Sequence, residues 1–171
     1  MGQMPMGTEQ GYGAPSVRQF GVFLDNRVGK LLELVQLFDD APDVTLVAIS
    51  VLDSSDHAVV RMIFDNADAA RHLLRKQNFV FSEVELLVFE LDDEHTLTHA
   101  CLFLLGAELN IRFAYPILPR HDHGPLQLLA LAVDDNTFAG QILCRKGFRL
   151  MAEDELACPF PLVVPASGQG D

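Results

Sequence analysis

The chain repeats itself, and the repeat limits the folds open to it. LDNRVGKLLEL (24–34) lies over ELDDEHTLTHA (90–100), VTLVAISVL (44–52) over LNIRFAYPI (109–117), and DNADAARHLLRKQNF (65–79) over DDNTFAGQILCRKGF (134–148). A period of about 66 residues is too long for a solenoid unit, so each copy reads as a mini-domain.

Each copy alternates strand and helix signals in the same order. In the first, Val17–Leu24 reads as a strand and Asp25–Gly29 as a loop. Lys30–Ala41 carries Leu31, Leu34, Val35 and Phe38 at helical spacing, and Pro42 ends it. Val44–Leu52 and His57–Phe64 form a hairpin around the turn cluster Asp53–Asp56. Asp65 or Asn66 caps a helix to about Lys76, and Phe79–Val84 is the last strand. The second copy starts with a strand at Glu85–Leu91 and a helix over Glu94–Gly106 with Leu97, Ala100, Cys101, Leu104 and Leu105 inward. Strands follow at Leu109–Leu118 and Leu126–Val133, joined through Pro119–Pro125. A helix with Phe138, Ile142 and Leu143 inward stops at Gly147, and Phe148–Met151 closes the copy. The reading is α+β, with modules at 17–84 and 85–155, a disordered leader at 1–16 and a disordered tail at 156–171. One copy alone leaves an unpaired sheet edge, which a second copy can bury.

Acidic residues outnumber basic ones 24 to 12, for a formal charge of −12. That surface repels phosphate backbones and anionic lipid, so no nucleic-acid or membrane partner is expected. The three cysteines, Cys101, Cys144 and Cys158, form no CxxC pair and read as reduced thiols of a cytoplasmic protein. Cys101 and Cys144 fall on apolar helix faces, which predicts burial. The first sixteen residues lack the basic and apolar regions of a signal peptide.

The most informative segment is Leu24-Asp25-Asn26-Arg27-Val28-Gly29-Lys30-Leu31. A strand ends, a glycine loop turns, and a helix begins. Gly29 permits close approach of a backbone to a ligand. The helix N-terminus offers N–H groups and a positive dipole end to a carboxylate. Asn26 can donate and accept, which suits a zwitterion. An ordinary capped turn explains the same residues. His95 and His99, four apart at a helix start, have no obvious third metal ligand, and a hairpin turn accounts for His121-Asp122-His123-Gly124. Arg61, Arg112 and Tyr115 could line a pocket or simply face solvent. No nucleophile or acid–base constellation can be assembled, so no catalytic residue, metal or cofactor is expected.

The Leu24–Leu31 loop resembles the N-x-P-G-x-L first loop of ACT domains, with Val28 where proline is usual. Pro42–Ser50 resembles that family's second strand, and His57–Ala70 its third strand and second helix. The resemblance covers residues 17–152. It implies two tandem ferredoxin-like βαββαβ modules packed side by side, antiparallel sheets with helices on one face, binding a small-molecule amino acid where the modules meet. Carried over by position, the ligand-binding residues are Asn26, Arg27, Val28, Gly29, Lys30 and Leu31, with Asn110 and Ile111 on the facing strand. The converse set would use Asp92 and His95 opposite Thr45. His95 in place of glycine blocks close approach, so one competent site per chain is expected. The expected role is that of a non-catalytic sensor or regulatory module. The alternative is a regulatory subunit of an amino-acid biosynthetic enzyme, such as that of acetolactate synthase. A homodimer, with two chains stacking helix faces, stays open.

Overall fold

The computed structural model describes residues 14–53, 56–118 and 127–156. Its elements in chain order are β1 (Val17–Asp25), α1 (Lys30–Asp39), β2 (Leu46–Asp53), β3 (His57–Phe64), α2 (Ala67–Lys76), β4 (Val80–Leu91), α3 (Leu97–Gly106), β5 (Ile111–Pro116), β6 (Gln127–Val133), α4 (Asn136–Arg145) and α5 (Glu153–Leu156). The chain is α+β and divides into two compact units. The N-terminal unit holds residues 18–84 and 152–156, and the C-terminal unit residues 14–17 and 85–151.

In the N-terminal unit, β3 pairs antiparallel with both β2 and β1. Alternate residues of β1, Phe20, Val22 and Leu24, meet Leu34 and Phe38 of α1 and Ala67, Ala70 and Leu74 of α2. Strand side chains alternate between faces, so this set is dictated by the period of two. Phe38 and Phe64 bring their ring centroids to 4.2 Å. Each fully buried Phe or Leu stabilises the unit by about 1.5–3 kcal/mol. In the C-terminal unit β6 pairs antiparallel with β4 and β5. Leu87 and Phe89 meet Ala100 and Leu104 of α3 and Ala139 and Leu143 of α4. Phe148 sits edge-on to Phe89 at 5.5 Å.

The repeat extends to individual hydrogen bonds. The Thr45 N–H donates to Asp65 Oδ1 at 2.7 Å, and the Asp65 N–H donates back to the Thr45 carbonyl at 3.1 Å. Asn110 and Asp134 make the same two bonds, both at 3.2 Å. Asn66 caps α2 through Ala69, and Asp135 caps α4 through Phe138. Asn78 and Gly147, equivalent residues, both take the left-handed conformation. Both short strands β2 and β5 carry an irregularity near their start, between Leu46 and Ala48 and between Ile111 and Phe113.

Several expectations need correction. The strands expected at Phe79–Val84 and Glu85–Leu91 are one strand, β4. Alternating apolar residues run through the junction, and no turn residue interrupts them. The helix expected from Glu94 begins at Leu97, because Thr96 caps it by accepting from the His99 N–H. Cys101 and Cys144 are exposed, not buried. The buried stripe of α3 is narrow, Ala100 and Leu104, and leaves Leu97, Leu102 and Leu105 exposed. A helix apolar on all sides offers no moment by which to choose its inward face. The strand expected at Phe148–Met151 is a single bridge, Leu150 to Phe89. Cys158, the turn at His121–Gly124 and most of the leader and tail lie outside the described residues. No helix among the described residues is long and apolar enough to cross a membrane.

Candidate functional site

The two copies of the loop between first strand and first helix have opposite chemistry. In the N-terminal unit every residue of the loop 25–29 is exposed. The Arg27 N–H donates to the Asp25 carbonyl at 2.7 Å, and the Lys30 N–H to the Arg27 carbonyl at 3.2 Å. Gly29 is the N-cap of α1 with φ +92°, a left-handed conformation that favours glycine. A Cβ built there would meet nothing within 4 Å. Glycine is therefore required by the backbone, and the space above it is open. No side chain caps α1. Beyond the Lys30 N–H, which the Arg27 carbonyl takes, the first-turn N–H groups have no partner within the helix, and the positive end of its dipole lies at this loop.

Around that helix end stand the other residues singled out from sequence. Asn26 donates from Nδ2 to Asp53 Oδ1 at 2.9 Å, and its N–H reaches the Asp56 carbonyl at 3.4 Å. One amide hydrogen is thereby used, and the amide stands fixed in orientation beside a carboxylate. Lys30 pairs with Glu33 at 2.7 Å. Val28 is wholly exposed and Leu31 is 40% exposed, an apolar surface beside the polar groups. The arrangement can hold a carboxylate at the helix end and an ammonium near Asn26 and Asp53. The Asn26–Asp53 bond joins positions 27 apart, and nothing in sequence signals it.

In the C-terminal unit the loop closes on itself. Asp92 Oδ1 accepts from the Glu94 N–H at 2.8 Å and the His95 N–H at 2.6 Å. His95 Nδ1 lies 3.0 Å from both Asp92 oxygens. The His95 bonds, side chain first and then backbone, hold the Asp92 carboxyl below its usual range. The His95 ring packs edge-on against Phe148 with centroids 5.1 Å apart. It occupies the space over Gly147, where a Cβ would come 2.7 Å from Nε2. Asp92 thus supplies, from within the chain, the carboxylate that the open loop lacks. The spacing Asp92-x-x-His95 is visible in the sequence, but the room made by Gly147 is not. His99 Nδ1 is 2.9 Å from the Glu94 carbonyl, so both histidines of the i, i+4 pair already have polar partners. Among the described residues no metal-binding cluster of three ligands forms.

Asn110 and Ile111 lie at the start of β5 in the C-terminal unit, with Asn110 exposed and Ile111 half-buried. The Asn110 backbone is fixed by Asp134 as described. Tyr115 is buried, Arg61 half-buried and Arg112 exposed. Asn26, Arg27, Val28, Gly29, Lys30 and Leu31 therefore stand together on one unit, and Asn110 and Ile111 adjoin on the other.

A family model described as "ACT domain pair" matches residues 15–158. A search of curated proteins finds none that matches. Among solved structures, protein BT0572 from Bacteroides thetaiotaomicron is similar with a TM-score of 0.74 at 19% identity, covering 84% of this chain and 96% of that one. The regulatory subunit of aspartate kinase from Thermus thermophilus is similar with a TM-score of 0.51 at 7% identity, covering 78% and 94%. At these identities the likeness is one of fold.

Proposed function

The chain belongs to the ACT domain pair family, and from that premise we propose that it is a non-catalytic regulatory protein that binds a free amino acid. The carrying observation is the uncapped, exposed N-terminus of α1 at Gly29, set against a sister loop that its own Asp92 has closed. The ligand carboxylate takes the α1 N–H groups, and its ammonium takes Asn26. Arg27, Val28, Lys30 and Leu31 border the side chain. Asn110 and Ile111 are carried in this reading by their position in the sequence alone. The closed loop binds nothing, so the stoichiometry is one ligand per chain. The compartment this reading assumes is a reducing cytoplasm.

The test is a thermal-shift screen of the twenty amino acids, followed by titration calorimetry. Ligand at 100 times Kd stabilises the native state by about 2.7 kcal/mol through mass action. One or a few amino acids should raise Tm, with one site per chain, and Asn26→Ala should abolish the shift. Two equivalent sites per chain would sink the proposal. No response to any amino acid, together with a stoichiometric co-purifying enzyme, would point instead to a regulatory subunit of a biosynthetic enzyme such as acetolactate synthase.

A further inference from the structure

The N-terminal unit carries a second concavity, at the opposite end of α1 from the glycine loop. A cleft of about 500 Å³ lies between the end of α1 and the side of α2. Leu37, Ala41, Pro42, Ala69 and Leu73 line it with apolar surface, and His72 and Gln77 stand at its border. A shallower extension over Phe79 adds Glu33 and Gln36. The chain then turns through Pro42, and a separate hollow of about 230 Å³, lined by Val35, Phe38 and Leu46, opens beyond it.

The charged side chains that line this cleft are Asp40 and Asp43, at the α1 end, while Arg75 and Lys76 precede Gln77 at its other border. Asp39, Asp40 and Asp43 surround the turn, all exposed, and none pairs with a basic side chain among the described residues. They also stand at the negative end of the α1 dipole, whose last turn carries no basic residue. Carboxylates there oppose the helix, and a cation relieves them. α2 and α4 end conventionally, with Arg75 and Lys76 and with Arg145. α3 also ends without a basic residue, but one carboxylate, Glu108, follows it, against Asp39, Asp40 and Asp43 around the end of α1.

We propose that this cleft docks a basic segment of another protein, an apolar side chain entering between Leu37 and Leu73 while flanking lysines or arginines meet Asp40 and Asp43. Apolar floor and acidic rim together select that chemistry. A free inorganic cation would gain nothing from the floor, and an acidic or neutral apolar segment would be repelled by, or indifferent to, the rim. The surface is independent of the amino-acid loop and gives a regulatory protein a place to meet its target.

The experiment uses the full chain and a fluorescein-labelled synthetic peptide carrying leucines between lysines and arginines. Anisotropy should show saturable binding. Asp40→Asn/Asp43→Asn should weaken it about tenfold. Asp93→Asn/Glu94→Gln, an equal change of charge on the other unit, should leave it within about twofold. Backbone resonances of Leu37, Ala69 and Leu73 should shift on addition of peptide. Equal weakening by both double variants would show that only net charge is read and would overturn the proposal. Spermine binding as tightly as the peptide would overturn it too, as would absence of saturation. Far-ultraviolet dichroism of both variants confirms that they fold. Loss of amino-acid binding in the screen above, with peptide binding intact, leaves this inference standing.

Discussion

Gly147→Ala tests whether the C-terminal loop is closed by the ring of His95. Two costs follow from the geometry. At φ +89° an alanine pays left-handed backbone strain of about 1–2 kcal/mol. Its Cβ would also come 2.7 Å from His95 Nε2, so the ring must move. Moving it disrupts the edge-on contact with Phe148, of a kind worth about 0.5–1.5 kcal/mol. The sum is about 1.5–3.5 kcal/mol, or a fall in Tm of about 3–14 °C for a chain of this size. In a His95→Ala background the steric cost vanishes and only the strain remains. A double-mutant cycle by urea unfolding should therefore return a coupling of about 1 kcal/mol, with Gly147→Ala milder when His95 is absent. If Gly147→Ala costs the same in both backgrounds, within about 0.3 kcal/mol, the ring does not depend on the glycine and the closed-loop argument fails.

Gly29→Ala should cost only the strain, about 1–2 kcal/mol by urea unfolding, because the space above Gly29 is open; a larger loss would mean a contact there after all. Thr96→Ala should destabilise by about 1 kcal/mol, measured the same way, by removing the cap on the His99 N–H. Acid should destabilise the fold through a defined set of carboxylates. Asp68 is held below its usual range by Arg18 first and Arg71 after, Glu83 by Arg71, and Asp92 by His95. Groups depressed in the folded state contribute stability above their unfolded pKa and lose it as pH falls through the folded value, so Tm should drop as pH falls below about 5. Arg71→Met should flatten that drop, because Glu83 then titrates nearer its unfolded value.

The order of elements was legible because it rests on periodicity and punctuation. Pro42, Asn66 and Asp135 mark ends that the structure places within a few residues, and of the stripe Leu31, Leu34, Val35 and Phe38 the spacing correctly buries Leu34 and Phe38, while Leu31 is exposed. What sequence missed depends on tertiary context. The junction of the copies has no turn residue, so the repeat implies two strands where the backbone runs on as one. Cys101 and Leu105 lie on a helix apolar all round, where pattern cannot select a face, and both are exposed. α5 was missed because four residues carry too little periodicity. It is held by Glu153, whose carboxylate accepts from the Arg18 side chain at 2.9 and 3.2 Å across 135 positions. Of the candidate site, the open loop was readable from Asn26 and Gly29. Asp53 and Gly147, which give the two loops their character, act through space and left no local signature.

The paired bonds of Asp65 with Thr45 and of Asp134 with Asn110 have a consequence for how the copies can diverge. Each aspartate grips only main-chain atoms of its partner. The station on the strand is therefore set without reference to the side chain that stands on it. Threonine and asparagine occupy equivalent stations, and exchanging them, Thr45→Asn or Asn110→Thr, should alter stability by no more than about 0.5 kcal/mol. Such a position can change what it offers to a neighbour while the strand beneath it stays in register. A chain built this way can change the side chain at these two points without renegotiating its fold.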